Sequence, residues 1–398
     1  MRFQSKVTAL VFGTVVTSNS IAPNVGFCQL RFEAPVKLNA SSKRFIASKY
    51  AADCPHSRST NPSGYPGFTP QGPKCVADFL VDGATPQSED CLYLNVWTKA
   101  TNIADTSKPI LAFFFGGGFN FRDTNTAFYN GKYFAGEQDV VVTVNYRIDV
   151  FGFLGAPCQP ANLGLRDQRV GVEWVRDNIA AFGGNPEKIA IFGQSIRGEA
   201  VDFWAYAYEQ DPIVSSIIAH SGNAFSFPFN TAATVENNSN AIVAGVNCTN
   251  EEDQLACVRQ VDWQNILGIS ETIRPLPSDN FLRPISHFAP FPDDDVTFRY
   301  IADWDNTRLY STNGSTSSAY HMMDLHMIFG AWKDVTGLPT TAGERNLTHI
   351  MQKAWASFAN DPVDGLVGLG WPQFDQNKDS YILLGRDNIL SAEFVALS

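Results

Sequence analysis

The sequence predicts an α/β fold in which a mostly parallel sheet carries helices on its faces. Three observations support it. The apolar runs KPILAFFFGGG at 108–118, VVVTVNY at 140–146 and KIAIF at 188–192 lack the polar alternation of a half-exposed strand, and so read as strands buried on both faces. A stretch of helical spacing, 167–182, stands between the second and third runs. A glycine-bounded turn, GQSIRG at 193–198, follows the third directly. Strand, helix, strand, turn and helix in succession is the order of parallel strands joined by crossover helices.

The first run ends in three glycines, so its strand enters a tight loop. The second is β-branched almost throughout, which suits a pleated, buried surface. Over 167–182, Val170, Val172, Trp174, Val175, Ile179 and Phe182 follow a mostly helical pattern, which Gly183-Gly184 stops. After KIAIF, residues 193–198 read as a turn and 199–208 as a helix. The stretch 226–303 is rich in Pro and Asn and holds no long buried strand, so it reads as cap or insertion structure over the carboxyl edge of the sheet. Residues 322–332 and 346–358 read as helices.

The chain has 398 residues, 44% of them hydrophobic, enough for a large core. A net charge of −11 without basic runs argues against nucleic acid or an anionic membrane surface as partner. No apolar run reaches the roughly 20 residues of a membrane-spanning helix. Thirty Phe and eight Trp imply a large aromatic core, with an apolar acyl-binding gorge as the narrower alternative. Residues 1–20 read as a secretion leader. Arg2 and Lys6 supply positive charge, 7–16 an apolar stretch, and Ser18-Asn19-Ser20 a small-residue cleavage site; a buried N-terminal strand is the competing reading. Sequons at Asn39, Asn237, Asn247, Asn313 and Asn346 fit an exported, glycosylated chain. In that setting the seven cysteines imply disulfides. Cys248 and Cys257 enclose a short polar loop and are expected to pair. Cys91 has Cys54 or Cys75 as candidate partner, Cys28 and Cys158 have no assignment, and buried free thiols are the alternative for all.

The segment KIAIF-GQSIRG is the context in which a serine sits on a strained strand-to-helix turn with its hydroxyl exposed. Around it stand SEDCLYLNVW at 88–97, FGGGF at 115–119, NYR at 145–147, FGF at 151–153, NLGLRDQ at 162–168, FGGNP at 182–186, AYHMMDL at 319–325 and GWP at 370–372. These motifs, in this order, resemble the type-B carboxylesterase and lipase family. The resemblance covers about 21–398, read as one hydrolase domain. It implies the α/β-hydrolase fold, a mostly parallel central sheet flanked by helices with cap insertions. It also implies a serine esterase acting on small-molecule or lipid esters, with no cofactor and no metal. Carried over by motif, Ser195 is the nucleophile, His321 the base, and the N–H groups of Gly117, Gly118 and Ile196 the oxyanion donors. The histidines His56, His220, His287, His326 and His349 lie outside the catalytic-histidine position.

Three departures stand against this. The strict elbow pattern needs small residues on both sides of the serine; Gly193 provides one, while Arg197 stands where the other belongs and is expected to push the helix away or twist the turn. The family's acid, a Glu after a further strand, has no counterpart between Ser195 and His321: the resemblance jumps at Phe298-Arg299. Asp303 and Asp305 are substitutes, and Asp293-Asp294-Asp295 reads as a solvated turn. The strands expected before 23–32 are also absent or replaced by the apolar leader. A catalytically impaired relative, a partner-binding protein or an incomplete gene product is therefore the alternative to a secreted ester hydrolase.

Overall fold

The computed structural model of the protein describes residues 25–31, 87–99, 106–120, 122–124, 126–136, 140–157, 161–224, 226, 229–273, 288–291, 323–336, 339–373, 381–384 and 393–395. The leader reading, Cys54, Cys75, Cys158, Asn39, Asn313, His321 and every carboxylate considered as acid lie outside these residues, as does the Phe298-Arg299 junction.

Six strands form the main sheet: β1 (Val25–Arg31), β2 (Tyr93–Lys99), β3 (Lys108–Phe114), β4 (Val140–Val144), β5 (Gly184–Gln194) and β6 (Ser216–His220). Their order is β1-β2-β4-β3-β5-β6. β2 is antiparallel to both β1 and β4, whereas β4, β3, β5 and β6 run parallel. A two-stranded antiparallel ribbon joins β7 (Tyr381–Leu383) and β8 (Glu393–Val395). The helices are α1 (Lys132–Ala135), α2 (Asp149–Phe153), α3 (Leu163–Asn178), α4 (Ile196–Ala207), α5 (Ala232–Gly245), α6 (Gln254–Val258), α7 (Trp263–Ser270), α8 (Met323–Phe329), α9 (Trp332–Thr336) and α10 (Ala342–Asn360). Among the described residues no helix is long and apolar enough to cross a membrane.

The central strands are apolar because both faces are covered: Ile110 to Phe114 and Ile189 to Phe192 are fully buried. The aromatic residues supply much of the core. The Phe113 ring lies 4.9 Å from Tyr129, 4.9 Å from Phe192 and 5.0 Å from Phe329, tying the sheet to α8. Behind β4, the buried Asp167 of α3 accepts both guanidinium nitrogens of Arg147 at 2.7 Å, a paired fork that satisfies its charge.

Several elements differ from the sequence reading. Helix α3 starts at Leu163, because Asn162 adopts a left-handed turn and its amide bonds the backbone N–H and C=O of Phe291. Helix α4 starts at Ile196, three residues earlier than expected, because Ser195 alone completes the turn. The stretch after 226 is helical over α5, α6 and α7. Thr231, Asp253 and Asp262 accept backbone N–H bonds at its helix starts, the capping signal that the Pro and Asn content masked. These helices bring Ile242, Val243, Val258 and Ile266 into a second apolar cluster with Phe119, Ile196 and Phe203, above the elbow. Cys248 and Cys257 form a disulfide with Cα atoms 5.8 Å apart, joining α6 to the end of α5. Cys91 is also disulfide-bonded.

Candidate active site

Ser195 makes the turn from β5 to α4 by itself, with φ 62° and ψ −130°. A residue with a Cβ rarely enters that region, and holds it only where its surroundings enforce it. Here they do. The Ser195 N–H donates to the His220 carbonyl at 2.8 Å, and Gly198 N–H donates to the Ser195 carbonyl at 2.8 Å. A Cβ on Gly222 would lie 2.0 Å from the Ser195 carbonyl oxygen, and one on Gly193 would lie 2.4 Å from the Arg197 carbonyl oxygen. Both positions need glycine so that the chain can fold back on itself. Ser195 stays partly exposed while Gln194 and Ile196 on either side are buried.

The loop leaving β3 passes directly beside this turn. A Cβ on Gly116 would meet the Gln194 carbonyl at 2.7 Å and lies 3.4 Å from Ser195 Cβ. Gly117 and Gly118 follow with φ of 122° and 64°, and Phe119 with 63°. Among the described residues, the N–H groups of Gly117, Gly118 and Ile196 are not used in protein hydrogen bonds. Ile196 opens α4, whose N-terminal end is partly positive and favours negative charge.

Arg197 does not push the helix away. Its backbone fits because Gly193 opposite has no side chain, and its own side chain runs fully buried beneath the glycine loop. The guanidinium carbon lies 3.8 Å from the centre of the Phe119 ring and 4.1 Å from that of Tyr146. Nε donates to the Phe115 carbonyl at 3.2 Å and to the Tyr146 hydroxyl, which itself donates to the Phe115 carbonyl. Burial pulls Arg197 down to about 10, against the pull of Tyr146 and Glu199, so it remains a cation at neutral pH. Burial likewise lifts the Glu199 carboxyl well above the usual range, with Arg197 opposing. Sequence reasoning missed Tyr146 and Glu199 as neighbours of the elbow; NYR at 145–147 was the available signal.

A second polar group ties the chain after position 321 to the sheet. His220 ends β6 in register with Gln194, beside the serine strand. Its Nδ1 lies 2.7 Å from Asp324 Oδ2, and its Nε2 accepts from Trp355 Nε1 at 2.8 Å. That acceptor role places the ring proton on Nδ1, where it donates to Asp324. Helix α8, which begins two residues after His321, is thus anchored at the carboxyl edge that bears Ser195. His326, one turn further on, stacks on Phe128 with centroids 4.1 Å apart and is a core residue.

A surface cavity of about 520 Å³ lined by Arg166, Glu173, Tyr206 and Asp211 sits at the far end of α4, about 18 Å along the helix from Ser195. It shares no lining residue with the elbow. Among the described residues no group of three or more His, Cys, Asp or Glu is placed to hold a metal ion.

A model of the carboxylesterase family matches residues 22–310. The chain belongs to the carboxylesterase family. By family it is a carboxylesterase-type hydrolase. The chlorogenic acid esterase of Aspergillus niger is 28% identical over 443 aligned positions, covering 91% of this chain and 84% of that protein. Those 443 positions exceed the chain's 398 residues, so the relative carries segments that this carboxylesterase lacks. Secreted lipase 5 of Gibberella zeae is 26% identical over 462 positions, covering 92% of this chain and 85% of the lipase. A cholinesterase of Mus musculus is 33% identical over 288 positions, 70% of this chain and 44% of its own length. Among solved structures, a thermophilic PNB esterase superposes with a TM-score of 0.74 at 20% identity, over 96% of this chain and 95% of the other. At that identity the likeness is one of fold, and the fold is that of the α/β-hydrolases.

Proposed function

We propose that this carboxylesterase is an exported enzyme that hydrolyses carboxylic esters through a serine acyl-enzyme on Ser195. The observation that carries the reading is the backbone of Ser195, held at φ 62° and ψ −130° between the central strand β5 and helix α4. Such strain at a partly exposed serine serves to present a nucleophile. In the proposed reaction Ser195 Oγ attacks the ester carbonyl carbon and passes its proton to His321. The carbonyl oxygen becomes an oxyanion facing the N–H groups of Gly117, Gly118 and Ile196. The alcohol leaves with the proton from His321, and water then releases the acid by the same route. Small-molecule or lipid esters are the substrate class, in keeping with relatives named for chlorogenic acid and for lipase activity. Export is supported by the secreted lipase relative, by the Cys248–Cys257 disulfide and by the sequons.

The second reading, a catalytically impaired relative, is favoured by one observation: no family acid segment lies between Ser195 and His321, and the aligned relatives carry segments this chain lacks. One experiment separates the two. The full chain and Ser195→Ala are exposed to a fluorophosphonate probe and assayed on p-nitrophenyl butyrate. Labelling of the parent alone, with hydrolysis that the variant loses, supports the esterase. A folded parent that neither labels nor hydrolyses sinks it and leaves the impaired reading.

A further inference from the structure

Arg197 holds a position for which a buried cation is a costly choice. A space-filling role would suit an apolar side chain, because removing a guanidinium from water is expensive unless its environment compensates. Arg197 is fully buried, and its Nη1 and Nη2 have no hydrogen-bond partner among the described residues. What compensates lies at the two ends of the glycine run and on Tyr146, whose hydroxyl also accepts from Nε. Nε bonds the carbonyl of Phe115, the residue before the glycine run, and the flat face of the guanidinium lies 3.8 Å from the ring of Phe119, the residue after it. The Tyr146 ring centre lies 4.1 Å from the guanidinium carbon, and that ring stacks on Phe115 at 4.4 Å.

The three glycines between those points are the least constrained residues of the loop. Gly117 and Gly118 take positive φ, and a glycine there gives the backbone freedom as well as room. Donors aimed at a developing oxyanion are useful only if they are fixed beforehand. We propose that Arg197 is a positioning residue that staples the loop at both ends, with its Nε on Phe115 and its face on Phe119, and so fixes the N–H groups of Gly117 and Gly118 beside Ser195. The catalytic part of the inference rests on the proposed esterase reading; the staple itself does not. Glu199, buried two residues along α4, lies close enough to Arg197 for the two to interact electrostatically.

The test compares the full chain with Arg197→Met, which keeps length but loses charge and fork, and with Arg197→Lys, which keeps charge but loses the flat face. Hydrogen–deuterium exchange is read on peptides covering 112–120 and, as controls, the β4 and β5 strands. The expected result is exchange at 115–119 at least tenfold faster in Arg197→Met, smaller acceleration in Arg197→Lys, and unchanged controls. Alongside it, kcat on p-nitrophenyl butyrate falls about 10–100-fold with KM within twofold, and the affinity for a trifluoromethyl ketone falls with kcat. Unchanged exchange at 115–119 in both variants overturns the staple, as does acceleration spread evenly over loop and control strands. Should Arg197→Met not fold, Arg197→Lys and Phe119→Leu decide the same question. A parent chain that does not label at Ser195 refutes the esterase reading while the exchange result still decides the staple. A labelled parent with unchanged exchange refutes the staple alone.

Discussion

Replacing His326 by Phe should make the fold less sensitive to acid. The imidazole lies in the core, 5% exposed, stacked on Phe128 and 5.2 Å from Trp332. Burial is the main reason its pKa falls to about 4; Asp324 opposes the shift and Arg122 adds to it. The unfolded chain titrates near the ordinary value of about 6.5. Above that pH the ring is neutral in both states and its contribution to stability is fully present. Between about 6.5 and about 4 only the unfolded chain takes the proton, so stability falls as pH falls and levels off below about 4. At about 1.4 kcal/mol per unit, the full loss is about 3 kcal/mol. Unfolding entropy of about 2 cal/mol/K per residue gives roughly 0.8 kcal/mol/K for a chain this long, hence a Tm decrement of about 4 °C. Glu199, raised by burial, acts with the opposite sign in this window, because the folded state keeps a proton the unfolded one has lost. It cancels when wild type and His326→Phe are compared. Calorimetry at pH 7.5 and 4.5, where most of that loss has developed, should show the variant losing about 3 °C less than the wild type on acidification. Equal losses in both proteins would refute the assignment of that acid sensitivity to His326.

Asp324→Ala removes the acceptor of the buried His220 Nδ1 proton and should lower stability by about 3 kcal/mol, with Asp324→Asn losing less; a Tm equal to wild type for the Ala variant contradicts the anchoring role given to this pair. Asn247 is exposed, adopts φ 63° at the end of α5 and stands beside the Cys248–Cys257 disulfide, so exported material should carry a glycan there. Peptide mapping after enzymatic deglycosylation should find Asp at position 247, and an unmodified Asn in exported protein counts against it.

The sheet was legible because its central strands are buried on both faces and read as unbroken apolar runs. The serine turn was legible because glycines flank it at 193 and 198. What escaped was whatever depends on residues distant in sequence. The helical caps of 231, 253 and 262 were short-range signals outweighed by the Pro and Asn content around them. Tyr146 was visible inside a motif, yet nothing local says that its hydroxyl meets a guanidinium 51 residues away. Gly222 lies outside the motifs that carry the resemblance, and its need to be glycine arises from the carbonyl of Ser195 packed against it. The His220 and Asp324 partnership spans 104 residues and joins two segments that carry no pairing signal.

The reading of Arg197 as damage failed for a reason that bears on the chemistry. Positions 193 and 197 face each other, and one missing side chain is enough for the turn to close: glycine at 193 leaves room for the backbone and Cβ of 197. The serine turn therefore closes with Arg197 in place, and the departure that bears on the proposed base His321 is the family acid segment that has no counterpart in this sequence. An acid fixes the tautomer of such a histidine and stabilises its cation, and in serine proteases its loss lowers turnover roughly 10⁴-fold. The oxyanion donors and substrate binding alone still support roughly 10³–10⁴-fold over water in that system. Reaction of Ser195 with a fluorophosphonate, which needs nucleophile and oxyanion donors before it needs efficient turnover, is thus the sensitive measure of what this scaffold retains. Slow labelling with little hydrolysis is the pattern that an intact elbow with a poorly oriented base produces. Absence of labelling in a folded chain would leave the catalytically impaired reading.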